Sequence, residues 1–214
     1  MNGRREPAQA RSRAKRDAVL DAASELAERG IDHLTAASIA QEAGIAAGTL
    51  YQYFEGVDDV IDAVIRRHLD RFVEVIEGAF ASDQYATPKA ASIAVGEAFI
   101  EYYRAEPGFR AIWFGPGFTG RHRQLDLENN KRLARTMYEQ LTRRGLIPPG
   151  ELSKAIVVAN WEIADTLTGL AFRVDPDGDE MILGYLRYVM SQIAKAPPLD
   201  VTFHLAGLRT RTTI

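Results

Sequence analysis

Leu34 to Phe54, LTAASIAQEAGIAAGTLYQYF, constrains this chain more than any other stretch. It reads as two short helices joined by a tight turn at Gly44, since glycine enters the left-handed conformation without a side-chain penalty. Thr35 begins the first helix, because its hydroxyl can accept a bond from a first-turn amide that has no helical partner. Ile39 and Ala40 face inward, Gly44 ends the helix and Ile45 turns back to the core. A second helix over residues 47–54 buries Leu50 and Phe54, four apart on one face. Thr49, Tyr51, Gln52 and Tyr53 are left on the other face. The pattern is a helix-turn-helix, and its outer face carries hydroxyls, an amide and rings suited to phosphates and base edges in a major groove.

Two helices this short need a third. Ala14 to Arg29 supplies it, with Ala18, Val19, Ala22, Ala23, Leu26 and Ala27 in one narrow stripe at helical spacing and Gly30 as the stop. Charge is distributed unevenly around this head. Residues 1–16 hold Arg4, Arg5, Arg11, Arg13, Lys15 and Arg16 against Glu6 alone, whereas residues 17–56 set Arg29 against seven acids. The formal net charge of −3 therefore conceals a basic segment, read as a flexible arm over 1–13.

These residues resemble the DNA-binding head of the tetracycline-repressor (TetR) family of one-component regulators. The matches are Ala22-Ala23, Leu34-Thr35, Ile39-Ala40, Ala43-Gly44-Ile45, Gly48-Thr49-Leu50-Tyr51 and Tyr53-Phe54, within a span of roughly residues 14–65. The resemblance implies an all-α fold of about nine helices: a head over 14–56 and a ligand-binding and dimerisation body over 57–196, followed by a tail over 197–214 of no assigned role. It also implies a homodimer on a palindromic double-stranded DNA operator, released by a small-molecule effector. DNA contacts are expected from Arg4, Arg5, Arg11, Arg13, Thr35, Ala47, Gly48, Thr49, Tyr51, Gln52 and Tyr53. Similar regulators often carry serine at position 46, a polar or basic residue at 47 and lysine at 57, where this chain has Ala46, Ala47 and Val57. Val57 cannot make a lysine's phosphate contact, so the basic arm is expected to supply the missing anchorage.

Beyond the head, Asp58, Asp59 and Asp62 open a long helix to about Phe80, acids being favoured at the positive end of a helix dipole. Its wide apolar face makes it the link from head to body, and the resemblance gives it the role of a lever. His68 on this face is read as a packed histidine. Further helices are expected from Thr87-Pro88 to about Ala105, over 121–144, over 152–172 and over 179–194, with Asp175-Pro176-Asp177-Gly178 as a breaker. Between the first two of these, PGFRAIWFGPGFTG predicts a short helix broken at Gly115-Pro116. An aromatic cluster in a helical protein is ordinarily core; the resemblance makes it the border of an effector pocket. Phe99, Tyr103, Trp113, Phe114, Phe118, Met137 and Trp161 are the candidate lining, with Asn130, Glu162 and Asp165 as polar candidates.

The last two helices carry the stripes expected to form a four-helix dimer interface: Ile156, Ala159, Ile163, Leu167 and Leu170, then Ile182, Tyr185, Leu186, Val189 and Ile193. A chain of 214 residues can bury roughly 70% of its unfolded surface, so it needs no metal or disulfide for stability, and it has no cysteine. Uninterrupted apolar runs fall far short of the roughly 20 residues of a membrane span, and no signal peptide is recognisable, so a cytoplasmic location is expected. His33, His68, His122 and His204 would be the bases of a helical enzyme, the alternative from another class, but they stand in no nucleophile or metal spacing. No catalytic residue, cofactor or metal is expected. A second alternative is a ligand-binding protein of this fold that has lost DNA binding.

Overall fold

The computed structural model describes residues 6–81, 85–115, 118 and 120–193. Among these the chain is helical, with no strand: α1 (Glu6–Arg29), α2 (Ala36–Glu42), α3 (Ala47–Leu50), α4 (Val57–Ala79), α5 (Pro88–Ala105), α6 (Pro107–Phe114), α7 (Gly120–Arg143), α8 (Glu151–Val174) and α9 (Glu180–Ile193), with a 3-10 turn at Ile31–His33. The tail over 197–214 lies outside the described residues.

In the head, α1 buries Val19, Ala23 and Ala27 completely against Ile39 of α2 and Leu50 of α3. Thr35 caps α2 reciprocally: Oγ1 accepts from the Ser38 amide at 3.1 Å, and the Thr35 amide donates to Ser38 Oγ at 3.0 Å. Gly44, at φ +65°, makes the turn, after which the Ile45 amide returns to the Ala40 carbonyl at 3.0 Å.

Two boundaries differ from the sequence reading. α1 starts at Glu6 rather than Ala14, so Arg11 and Arg13 sit on a helix and not on a flexible arm. The reason is propensity: Ala, Gln, Arg and Lys dominate residues 8–16, and all favour helix. α3 is only four residues long instead of eight. Ala46 stands at its start with no side-chain cap, and beyond Leu50 the amides of Gln52 and Tyr53 tighten to three-residue bonds. Leu50 and Phe54 are nevertheless both buried.

α4 is the axis of the body. Val60, Val64, Ile65, His68, Leu69, Phe72 and Ile76 form its buried face. α7 is fastened along it: His122 Nε2 meets Asp62 Oδ1 at 3.1 Å, Arg121 pairs with the same carboxylate, Arg132 reaches Asp70 at 3.0 Å and Arg144 donates to the Phe80 carbonyl at 2.7 Å. Across α5 and α9, Arg187 grips Glu97 through two bonds of 2.6 and 3.0 Å, a bidentate geometry that fixes helix register as well as supplying attraction.

Head and body meet where α1 lies on α6. A Cβ on Gly108 would come within 2.0 Å of the Ser24 carbonyl oxygen, so the approach of the two helices requires glycine there. Arg67 of α4 reinforces the contact, donating to Asp21 at 2.6 Å.

Candidate functional site

The outer face of α3 and the turn after it opens only part of the expected set to solvent. Ala47, Gly48 and Gln52 are exposed, and Tyr51 leaves 59% of its surface open. Thr49 and Tyr53 are half-buried, Tyr53 resting against the core of the head. Thr35 is exposed, but its hydroxyl is engaged with Ser38 in the cap. Arg11 and Arg13 are exposed on α1, and Arg16 places its guanidinium 5.5 Å from the centre of the Phe54 ring. The basic end of α1 therefore adjoins the end of the reading segment. Arg4 and Arg5 lie outside the described residues.

Inside the body a cavity of about 580 Å³ runs between α5, α7, α8 and α9, with Phe72 of α4 and Trp113 of α6 completing its wall. Of the aromatic and polar candidates, Phe99, Tyr103, Trp113, Asn130, Met137, Trp161 and Asp165 line it. Phe114 and Phe118 do not. The first stacks on Phe172 with the rings 2° from parallel, tying α6 to α8, and the second meets Trp113 edge-on. Glu162 is exposed and outside the lining. Aromatic composition alone cannot separate rings that border space from rings that fill it: Phe109, in the same run, is fully buried against His68 at 4.2 Å.

The walls are mostly apolar, and polarity is concentrated where α7 faces α8. Trp161 Nε1 donates to Asn130 Oδ1 at 3.2 Å, and Asn130 Nδ2 donates to Asp165 Oδ2 at 3.2 Å. Asp126, Asn129 and Thr168 line the same cavity. Burial pushes the Asp126 carboxyl up to about 7, aided by the nearby Asp165 and Glu162 carboxylates and opposed by Arg123. Burial likewise raises Asp165, against the bond from Asn130 that favours its charged form. Tyr103 is raised well above the ordinary phenol, first by burial and then by the negative charge of Asp165 and Asp126. Asp126 and Asn129 escape a reading of the sequence, where a lone acid on an otherwise charged helix looks like a solvated one.

The histidines have structural surroundings. His68 is buried, with Nδ1 2.6 Å from the Tyr102 hydroxyl and its pKa lowered to about 3 by burial and by Arg67 and Arg71, so the ring is neutral. His122 is held by Asp62, His33 is exposed in the 3-10 turn, and His204 lies outside the described residues. Among the described residues no group of three or more His, Asp or Glu is arranged to hold a metal ion.

On the outside of the last hairpin, Ile163 and Leu170 are each 41% exposed, and Tyr185 is more open still. Ile156 and Ala159 are exposed at the cavity edge, and Leu167, Ile182 and Val189 are half-buried. Leu186 is buried and borders the cavity, which corrects its place in the expected interface stripe. Ile193 ends α9. Val174, Met181 and Tyr188, outside the expected set, are exposed on the same two helices. α8 is also the one described helix long and apolar enough by composition to cross a membrane, with 28% of that window buried.

Comparison with known proteins places both halves. Residues 19–64 match the family model for bacterial regulatory proteins of the tetR family, and residues 87–193 match the tetracyclin repressor-like C-terminal domain. A fatty acid metabolism regulator protein from Bacillus subtilis (strain 168) is 32% identical over 76 residues, which is 35% of this chain and 39% of that protein. A TetR-family transcriptional regulator from Streptomyces coelicolor superposes with a TM-score of 0.62 at 29% identity, covering 84% of this chain and 96% of the other. The fatty acid degradation regulator FadR from Bacillus halodurans gives 0.65 at 18% identity over 87% and 96%. FadR from Bacillus subtilis, in complex with stearoyl-CoA, gives 0.63 at 19% over 83% and 96%. With its helix-turn-helix head and its helical body each matching that family's own, the chain belongs to the TetR family of transcriptional regulators.

Proposed function

We propose that this regulator is a homodimeric repressor that binds a palindromic operator and releases it when a small, elongated and largely apolar molecule fills the cavity of its body. One observation carries the reading: α6 contributes Trp113 to the cavity wall and Gly108 to the tight seat of α1. A ligand that reshapes the wall displaces a helix on which the head rests. By linkage, an effector that prefers a head spacing unsuited to the operator weakens DNA binding by the same factor by which DNA weakens effector binding.

On the DNA side, Tyr51, Gln52, Thr49, Gly48 and Ala47 face the major groove, Tyr53 braces the reading segment from its edge, and Thr35 holds α2 in place. Arg11 and Arg13, on the exposed start of α1, follow the phosphate backbone together with Arg4 and Arg5. No catalytic step is assigned. The exposed stripe of α8 and α9 forms the two-fold interface, and this accounts for the apolar outer face of α8 better than a membrane does, because its opposite face carries Asp165 and Thr168 into the cavity.

Binding to the DNA immediately upstream of its own gene, followed by fluorescence anisotropy across a salt series, tests the reading. The full chain is expected to bind sequence-selectively with a steep salt dependence, and deletion of residues 2–12 to flatten the slope by about one unit for each phosphate that is no longer neutralised. Failure to bind at any salt would instead favour a ligand-binding protein that has lost its DNA function.

A further inference from the structure

Among the described residues, the cavity lining holds three acids, Glu97, Asp126 and Asp165, and no cation free to answer an anionic ligand. Its one basic lining residue, Arg187, is bound by Glu97 through two bonds and by Glu180 through a third at 3.1 Å. Asp165 spends Oδ2 on Asn130, and among the described residues neither its Oδ1 nor either oxygen of Asp126 receives a hydrogen bond or an ion pair. Arg123 and Arg173, the nearest charges of opposite sign, are exposed and pair with neither acid among the described residues. Asp126 and Asp165 are both half-buried at the cavity wall, and a carboxylate partly withdrawn from water without compensation is unfavourable; it is relieved either by retaining a proton or by a cation from outside. The surroundings suit an organic cation: Trp161 is joined to Asp165 through Asn130, Phe99 meets Trp161 edge-on at 5.5 Å, and Tyr103 borders the same space. Aromatic faces beside carboxylates attract ammonium groups, and the remaining walls, including Leu133, Met137 and Ile93, accept an apolar body.

We infer that the effector is a cationic amphiphile, an alkyl or aryl amine or ammonium compound whose charged nitrogen sits between Asp126 and Asp165 and whose apolar part lies along the cavity. This rests on the reading of the cavity as the effector site. It also separates this chain from a fatty-acyl thioester carrier, whose phosphates would find no free base in the described lining. When an ammonium ion enters, the proton held by Asp126 leaves to solvent and the charge balance at that end is kept.

Both tryptophans of the chain, Trp113 and Trp161, line the cavity, so intrinsic fluorescence reports entry directly. Decylamine, decyltrimethylammonium, 1-decanol, decanoate and decanoyl-CoA would each be titrated, below their micellar concentrations, into the full-length protein and into Asp126→Asn and Asp165→Asn. The two cations are expected to bind at least about tenfold more tightly than decanol, with decanoate weakest. Each variant should remove most of that advantage while leaving decanol within about twofold, and the unchanged decanol value shows that the variant cavity is intact. Decanoate or decanoyl-CoA binding as tightly as the amine, or an amine advantage that survives both substitutions, overturns the inference and leaves the effector cavity standing. Silence of both tryptophans toward every probe overturns the inference and the effector reading together.

Discussion

Asp126 shows how an acid on the cavity wall acts on stability. Its carboxyl is raised to about 7 in the folded chain from an ordinary value near 3.8, first by burial and then by Asp165 and Glu162 on α8, against Arg123 on its own helix, with Tyr103 of α5 as the neutral neighbour. A raised carboxyl means that the folded state binds more protons than the unfolded one between those values. Its contribution is thus fully present below the unfolded pKa and is lost as pH rises through about 7. Asp126→Asn is therefore expected to raise Tm by more at about pH 8 than at about pH 5, read by thermal melts against the unsubstituted protein, in which His68 titrates identically. Equal effects at both values would show that Asp126 is solvated. The same sign makes amine binding strengthen from about pH 6 to about pH 8, because the cation replaces the proton, while decanol binding stays flat.

At the scale of elements, the proposed link between the cavity and the head runs through the seat of α1 on α6. Gly108 admits no side chain there, because its Cβ would strike the backbone of Ser24 and not a flexible tip that could move aside. Gly108→Ala is expected to cost about 1–3 kcal/mol in denaturant unfolding, as overpacking does, and to loosen the coupling between effector and DNA. The signature is a smaller shift in operator affinity at saturating effector, with effector affinity in the absence of DNA little changed. A variant of unchanged stability and unchanged coupling would remove α6 from the transmission path. The Asp62 carboxylate, held by His122 and Arg121, makes a second attachment between the start of α7 and the start of α4, next to the head.

For the whole molecule, the proposed two-fold interface rests on the outward faces of α8 and α9. Ile163, Leu170 and Val174 lie seven and four residues apart on α8, and Met181, Tyr185 and Tyr188 follow at helical spacing on α9, all exposed in the single chain. A two-fold axis through this hairpin would bury the same patch twice. Replacing both Ile163 and Leu170 by glutamate is expected to convert the protein to a monomer in analytical ultracentrifugation and to weaken operator binding by about 100-fold or more, since each head alone reads only half of a palindrome. A variant that remains dimeric at micromolar concentration would place the interface elsewhere.

Local chemistry makes much of this protein legible from sequence. Thr35 and Gly44 act through their own hydroxyl and backbone, the apolar spacing of α4 through helix geometry, and Asp175-Pro176-Asp177-Gly178 through its incompatibility with helix, so each of these elements stands where its local pattern puts it. The start of α1 is misplaced when charge is weighed and helix propensity is not. What the chain cannot show is which of two neighbouring rings fills space and which borders it, as with Phe109 and Trp113, or that Leu186 turns inward while Tyr185 beside it turns out. Nor can it show that Asp126 and Asp165, 39 positions apart, face the same cavity. Those facts depend on how α7 and α8 are set against each other, and that setting is a sum of side-chain contacts from helices distant in the chain, which no local pattern encodes.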